Sequence, residues 1–339
     1  MSQRQRLLRA LADGRFHSGA ALGETLGVGR SAVWKQVHAL EALGLDVYAV
    51  RGKGYRLAAP VELLDREAIC AALRGERARR LPGFEIFFEI DSTNRYLMER
   101  AAAGLQGPWL CLAESQSAGQ GRRGRRWASP LGRNLYLSLL WRFELGAEAL
   151  AGLSLVAGVA IADALEGSGV TGVGLKWPND LFHEDRKLGG LLVELAGEAS
   201  GPWDAVIGVG LNIDMCGPTA KDVDQPWTDL RTAAGRLPGR NRVAALIIDA
   251  LMQAIPRFET RGSGSISPVT GSSIFRSDPA ASKGAGPAAL VSTARSCWNA
   301  AGVCMPSAAA RSACGSLSDA GGGHWQQPHQ VGRGGLSLA

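Results

Sequence analysis

A chain of 339 residues that is 46% hydrophobic has enough apolar material for two or three domains with real cores. The formal net charge of +6 is uneven: residues 1–60 carry nine Lys and Arg against four Asp and Glu, whereas residues 61–261 carry 23 against 25. Apolar runs are broken by Gly, Asp or Glu before the ~20 residues a membrane span needs, no signal-peptide pattern opens the chain, and six scattered cysteines without a CxxC pair read as thiols of a reducing, cytoplasmic compartment.

Leu7, Leu8 and Leu11 predict a short amphipathic helix closed by Gly14. Leu22 and Leu26, then Val33, Val37, Leu40 and Leu43, recur at helical spacing on either side of an LGVG turn, the layout of a helix-turn-helix. The second helix carries Arg30, Ser31, Trp34, Lys35 and His38 on or near its polar side, where its first turn can face bases in a major groove. DVYAVRGKGYRLA, residues 46–58, predicts two short strands around a glycine hairpin. Arg51 and Lys53 sit at its tip, a wing suited to phosphate or minor-groove contact. Helix pair, turn, wing and charge bias agree on a DNA-binding domain over 1–60; the plainer alternative is a helical protein–protein domain with a solvated basic loop.

Residues 61–83 form a linker containing the helix-like run VELLDREAICAALRG. From 84 the pattern changes: FEIFFEI reads as a strand, and DSTNRYLMERAAAG starts a helix directly after it with Asp91, Ser92 or Thr93 as its cap. WLCLAES and NLYLSLLW are strands separated by a loop. GLSLVAGVAIADALEGSG is a helix, residues 172–197 a strand, hairpin and strand, WDAVIGVGLNID a further strand and RVAALIIDALMQAIPRF a final helix. Strands and helices alternate without the even spacing of a doubly wound fold, which predicts an α+β domain with a mixed sheet over 84–261.

The loop between the two central strands, GQGRRGRR at 119–126, puts the densest positive charge on flexible backbone. Gly119, Gly121 and Gly124 let amides approach a ligand, and Arg122, Arg123, Arg125 and Arg126 offer bidentate bonds to phosphate or carboxylate. The segment is not a Walker motif, and GVGLN at 208–212 lacks the third glycine of a dinucleotide fingerprint. Lys176 and Lys187 add charge, Asp180 offers oxygen to Mg²⁺, Asn179 and Asn212 suit an adenine edge, and Trp127 suits a base face. Each has a plain alternative: Lys187 in a solvated hairpin, Trp127 in the core, Asn212 capping a turn.

Taken together, the winged helix, DSTN (91–94), ESQSAGQGRRGRRW (114–127), NLYLSLLW (134–141), LKWPNDLF (175–182), DRKLGGLLVE (185–194) and GVGLNI (208–213) resemble the BirA-type family of bifunctional biotin–protein ligases and biotin operon repressors over roughly residues 1–260. The resemblance implies a class II synthetase-like ligase domain that makes biotinyl-5′-AMP from biotin and ATP with Mg²⁺. Biotin then passes to a lysine of the biotin carboxyl carrier protein of acetyl-CoA carboxylase. It assigns Ser92, Thr93, Asn94, Gln116, Gly119, Gly121, Arg122, Arg123, Gly124, Lys187 and Gly190 to biotin. Trp127, Lys176, Asn179, Asp180 and Asn212 fall to the nucleotide, with Asp180 also supporting Mg²⁺, and the chemistry to Lys187, Arg122 and Arg125. It further implies that biotinyl-5′-AMP is a corepressor promoting a homodimer on operator DNA, with no membrane partner. Gln120 departs from the family's usual GRGRRG loop and cannot pair a phosphate charge. The rival readings are a repressor without catalysis and a lipoate-type ligase.

Residues 262–339 contain 13 glycines, 14 serines, two aspartates and no glutamate. This tail reads as disordered chain, or as a shifted reading frame that replaces the family's usual C-terminal SH3-like barrel.

Overall fold

The structure, a computed structural model, describes residues 1–73, 83–197, 201–215, 223–236, 238–261 and 275–276. At the N-terminus, α1 (Gln3–Leu11), α2 (Gly19–Leu26) and α3 (Arg30–Glu41) bury the predicted leucines and valines in one cluster. Ser2 caps α1 and Ser18 caps α2, while Gly27 ends α2 at φ 69, a left-handed conformation that glycine adopts without a Cβ penalty. β1 (Val47–Val50) and β2 (Gly54–Leu57) pair antiparallel as the wing, and His17 makes a single antiparallel bridge to Tyr55. The predicted winged helix-turn-helix is present. Its apolar cluster also takes in Val61 and Leu131, so the winged helix sits on the central region through shared packing.

α4 (Arg66–Ala72) is capped by Asp65 and is shorter than the linker helix expected from sequence. The central region is built on one eight-stranded sheet. In chain order it contains β3 (Gly83–Phe87), α5 (Thr93–Ala102), β4 (Trp109–Ala113), β5 (Leu135–Phe143), α6 (Leu153–Gly167), β6 (Val173–Lys176), β7 (Asp180–His183), β8 (Arg186–Gly197), β9 (Trp203–Leu211), α7 (Leu230–Ala234), α8 (Arg240–Arg261) and β10 (Phe275–Arg276). The strand order is β10–β6–β7–β8–β9–β5–β4–β3, with β3/β4 and β10/β6 parallel and all other neighbours antiparallel. This is the mixed sheet the alternation predicted.

Period-two alternation divides the strands between two faces. Leu135, Leu137 and Leu139 of β5 and Ala205, Ile207, Val209 and Leu211 of β9 join the main core, with residues of α6 and α8. Leu140 and Val206 point the other way, into a smaller cluster with Leu97 and Ala101 of α5. One helical run, Ala147–Gly167, is long and apolar enough by length and composition to cross a membrane, with a mean hydropathy of 1.7, although Glu148, Asp163 and Glu166 interrupt it as the sequence reading expects. Leu153, Val156, Ile161 and Leu165 are buried in the main core, which accounts for that hydropathy. α8 runs beyond the predicted helix at both ends and contains Pro256. α7 and β10 were not anticipated; at five and two residues they are too short to show a period. Of the predicted cysteine thiols, Cys111 is buried and Cys70 half-buried, and burial pushes the Cys111 thiol well above its ordinary range. Apart from β10, the C-terminal tail, and with it the disorder or frame-shift expectation, lies outside the described residues.

A buried polar cluster ties the linker to this frame. Arg240 at the start of α8 is 3% exposed and pairs with Glu114, also 3% exposed, at 2.7 Å. Arg240 also donates to the carbonyls of Glu62 (2.6 Å) and Asn134 (2.9 Å). The Glu62 carboxylate accepts from the Arg240 amide and from the side chain of Asn241, and Glu114 accepts from the Leu64 amide. Taking away one partner of such a pair strands a charge in the interior, which costs about 3–5 kcal/mol. Arg240→Ala should therefore lower unfolding free energy in urea by about that much, whereas Arg240→Met combined with Glu114→Leu should cost less than Arg240→Ala alone. A double-variant loss as large as the sum of the two single losses would show that the two side chains act independently.

Candidate functional site

The α5 face of the sheet carries two rows opened at their centres by glycines. Ser138, Gly208 and Leu192 lie side by side across β5, β9 and β8, and the next row runs Tyr136, Gly210, Gly190 and Asp180. A Cβ on Gly208 would run into the Asn94 amide, and one on Gly210 into the Trp127 indole. Strand glycines of this kind let another group lie flat on the sheet. GVGLN is thus a floor for side chains and not a phosphate loop.

Above the floor, the N-terminus of α5 presents Ser92, Thr93 and Asn94, all buried, with Ser92 as the cap. Gln116 accepts from the Thr93 amide at 2.8 Å and lies 3.1 Å from its hydroxyl. The Ser138 hydroxyl is 2.7 Å from Thr93 Oγ1 and 2.6 Å from Asn94 Oδ1. Asn94 Nδ2 donates to Glu194 at 2.7 Å and to the Leu192 carbonyl at 3.2 Å. At the other end, Gln116 Nε2 meets Ser129 Oγ at 3.4 Å, and Ser129 donates to the Trp127 carbonyl. Three of the predicted residues, Thr93, Asn94 and Gln116, are therefore joined through Ser138 in one polar chain, while Ser92 caps the helix beside them. Sequence reasoning missed Ser138, Glu194 and Ser129; the available signal was a lone polar residue on an otherwise apolar strand, as at Ser138 in NLYLSLLW.

Lys187 closes the second row. In a regular pleat it would face away from Gly190, three residues on. A bulge shifts the β7–β8 register, so that Leu181 opposes Gly189 and Phe182 opposes Lys187. Lys187 Nζ then reaches Asp180 Oδ1 at 2.9 Å and lies 5.5 Å from the Trp127 ring centroid. The side chain of Lys187 is 13% exposed, which removes the solvated-hairpin alternative. Its backbone is held by Pro226 (3.0 Å) and Thr228 (2.9 Å). Asn212 is buried beneath this junction and donates to the carbonyls of Thr228 (3.0 Å) and Lys187 (3.4 Å). Its amide protons are thus spent on backbone.

The arginine loop has more order than its glycine content suggests. Gly121 donates to the Arg125 carbonyl at 2.7 Å, Trp127 donates to that of Gly119 at 2.8 Å, and Gln120 bridges to Arg126. A 3₁₀ turn spans Arg122–Gly124, with Arg123 at φ 58 and Gly124 at φ 71. Two successive left-handed residues make the reversal tight. Arg122, Arg123, Arg125 and Arg126 are exposed, and Arg122 Nη1 approaches Asn179 Oδ1 at 3.4 Å. Asn179 is fixed in turn by Leu191, donating to its carbonyl at 2.5 Å. Lys176, opposite Asp180 in the β6–β7 register, lies over the Phe182 ring at 5.5 Å. Arg122, Asn179, Asp180, Lys187 and Trp127 thus lie around one end of the floor, and the α5 chain lines the other.

Among the described residues no group of three His, Cys, Asp or Glu side chains has metal-site geometry. Asp180 offers one carboxylate, already beside an ammonium. That donor set suits Mg²⁺ arriving with a polyphosphate, which supplies most of its own ligands, and not a resident ion.

On the winged helix, Arg30, Ser31, Trp34, Lys35 and His38 are exposed along α3, and Arg51 and Lys53 are exposed at the wing tip. The His38 ring lies 4.0 Å from that of Trp34, and its Nδ1 pairs with the Trp34 carbonyl. Phe16 and Tyr48, which sequence reasoning passed over, sandwich Arg56 at 5.2 and 4.8 Å.

Comparison with known proteins agrees with this two-part layout. Residues 87–212 match the biotin/lipoate A/B protein ligase family, and residues 3–56 match an HTH domain. The bifunctional ligase/repressor BirA of Escherichia coli is 46% identical over 257 residues, which is 76% of this chain and 78% of that protein. The bifunctional ligase/repressor BirA of Bacillus spizizenii is 30% identical over 243 residues, 71% of this chain and 73% of its own. The biotin–[acetyl-CoA-carboxylase] ligase of Mycobacterium tuberculosis is 36% identical over 172 residues, 49% of this chain and 62% of that protein. Likeness of this degree along more than three-quarters of the Escherichia coli protein settles the matter: the chain belongs to the BirA-type family of bifunctional ligase/repressors.

Proposed function

We propose that this protein is an ATP-dependent biotin–protein ligase and a biotin-responsive repressor that binds operator DNA through its winged helix. The observation that carries the ligase reading is Lys187, turned by a bulge onto the floor beside Asp180 and Trp127, at the foot of the arginine loop. The polar chain of Thr93, Asn94, Gln116 and Ser138 supports biotin over lipoate. A ureido group donates and accepts, whereas a dithiolane ring would leave those buried groups unmatched.

In the first half-reaction a carboxylate oxygen of biotin attacks the α-phosphorus of ATP. The bond to pyrophosphate breaks, and biotinyl-5′-AMP forms. Two anions approach each other, so the barrier is largely electrostatic. The Lys187 ammonium faces the carboxylate and α-phosphate, and Arg122 and Arg125 cover the growing charge. Trp127 and Asn179 border the nucleotide end, with Lys176 behind them on the same hairpin. Asn212 acts through the segment that grips Lys187. ATP would come as its Mg²⁺ complex, and Asp180 would help hold that ion, which would offset charge on the phosphates. In the second half-reaction the neutral amine of an acceptor lysine attacks the acyl carbon. An amide forms, the amine releases a proton, and AMP leaves. The acceptor is the biotin carboxyl carrier protein of acetyl-CoA carboxylase, the reaction in the name of the Mycobacterium relative. The cytoplasm is the site of action, since ATP, carrier and operator meet there.

For repression, biotinyl-5′-AMP orders the loops around the site and favours a homodimer, which sets two recognition helices against a two-fold operator.

Incubation with biotin, Mg-ATP and an apo carrier domain should add one biotinyl group by intact mass; biotin-dependent DNA binding without adenylate or transfer would leave only a regulator. Lys187→Ala should cut biotin-dependent pyrophosphate release by about 10²–10³-fold with unchanged circular dichroism, and an unaffected rate would remove Lys187 from the chemistry. Arg122→Gly should release the adenylate and label bystander lysines, seen as scattered biotinylation by peptide mass spectrometry; labelling confined to the carrier would show that retention does not need Arg122. Lys53→Ala should lower the salt slope of operator binding by about 1; an unchanged slope would place the wing away from phosphate.

A further inference from the structure

We propose that Glu194 is a positioning residue that fixes the direction of the hydrogen bonds running from Asn94 through Ser138 to Thr93, and so selects for a ligand that presents N–H donors. Glu194 lies on β8, one row beyond Ser138, Gly208 and Leu192, and opposite Val206. It is half-buried against the α5 side of the sheet. An ionised carboxylate only accepts hydrogen bonds. Its contact with Asn94 at 2.7 Å therefore requires the Asn94 NH₂ group to face it, and the second amide proton goes to the Leu192 carbonyl. That turns Asn94 Oδ1, also acceptor-only, toward Ser138 at 2.6 Å. Ser138 has one hydroxyl proton and must give it to Asn94. The 2.7 Å contact between Ser138 and Thr93 is then filled by the Thr93 proton. Gln116 Oε1 keeps the Thr93 amide proton at 2.8 Å. Both lone pairs of Thr93 Oγ1 and one of Gln116 Oε1 are left over.

The leftover groups are acceptors, which is what the N–H groups of a ureido ring need. If Asn94 turned over, Ser138 would accept from it and pass its own proton to Thr93. Thr93 would then donate to Gln116, and the same side chains would offer fewer acceptors. Asn94 lies flat on Gly208, where no Cβ blocks it, so sterics do not fix its orientation. Glu194 does so by offering Asn94 acceptors only, together with the Leu192 carbonyl. The inference rests on the biotin reading above and concerns which part of biotin is read.

The test is a series at one position. Glu accepts only, Gln does either, and Met does neither at similar size. Biotin Kd by calorimetry on the full chain should rise in the order wild type, Glu194→Gln, Glu194→Met, with about a tenfold loss or more at Met. Preference for biotin over a cyclic carbamate analogue, with one ureido N–H replaced by oxygen, should fall in the same order. KM for ATP should stay within about twofold, since the chain faces away from the nucleotide end. Unchanged biotin affinity in Glu194→Met would overturn the proposal. So would equal losses for biotin and ATP, the mark of general damage, or a Gln variant as weak as Met, the mark of bare charge. A wild-type chain that bound no biotin would instead defeat the ligase reading itself.

Discussion

The buried Arg240–Glu114 pair is the joint on which the other parts bear. Glu114 follows directly on β4 and opens the segment that becomes the arginine loop, and its carbonyl accepts from Gly132 where that segment returns. Arg240 starts α8, the helix that packs on α6 and α4. Glu62 and Asn241 add the linker from the winged helix. Four chain segments thus converge on two charges that have almost no access to water. An ion pair so placed contributes little net stability, because desolvation offsets attraction. It does penalise any arrangement in which either partner is alone. Its effect is specification: the linker and both ends of the arginine loop keep one geometry relative to the core.

On the opposite face, the site is made by subtraction. Three strand glycines remove side chains from the sheet, and the space is taken by an asparagine amide and an indole. The β7–β8 bulge then turns a lysine onto the face it would otherwise avoid. Neither device stabilises the sheet: glycine weakens a strand and a bulge interrupts a ladder. Both are tolerated because the main core behind them is continuous from β4 across to β6.

Much of this was legible in the residues. The helix-turn-helix follows from leucine and valine spacing, the wing from two glycines, and the mixed sheet from strands without regular helical spacing between them. Ser92, Thr93, Asn94 and Gln116 were assigned through the family resemblance, and the structure joins Thr93, Asn94 and Gln116 through Ser138; Lys187 stood out as a cation in a conspicuous motif. Ser138 and Glu194 were missed because each is one polar residue in an apolar strand, and strand pairing alone brings them to α5. The bulge was invisible, since register depends on the partner strand. Asn212 shows the reverse: a side chain read as facing ligand donates to backbone beneath Lys187. The Arg240–Glu114 pair spans 126 positions, beyond any local pattern.

Val61 and Leu131 give the winged helix and the ligase region a stretch of common interior. The Val61 amide also bonds to the Ala12 carbonyl, and Arg4 reaches Glu89. The reading head is bolted to its base and does not swing on a tether. In the proposed two-fold complex, the distance between two such heads would be a property of the dimer axis. An extra base pair between half-sites would also rotate one of them around the duplex by about a tenth of a turn. With little slack to absorb that mismatch, the proposed dimer would make operator spacing as strict a requirement as operator sequence.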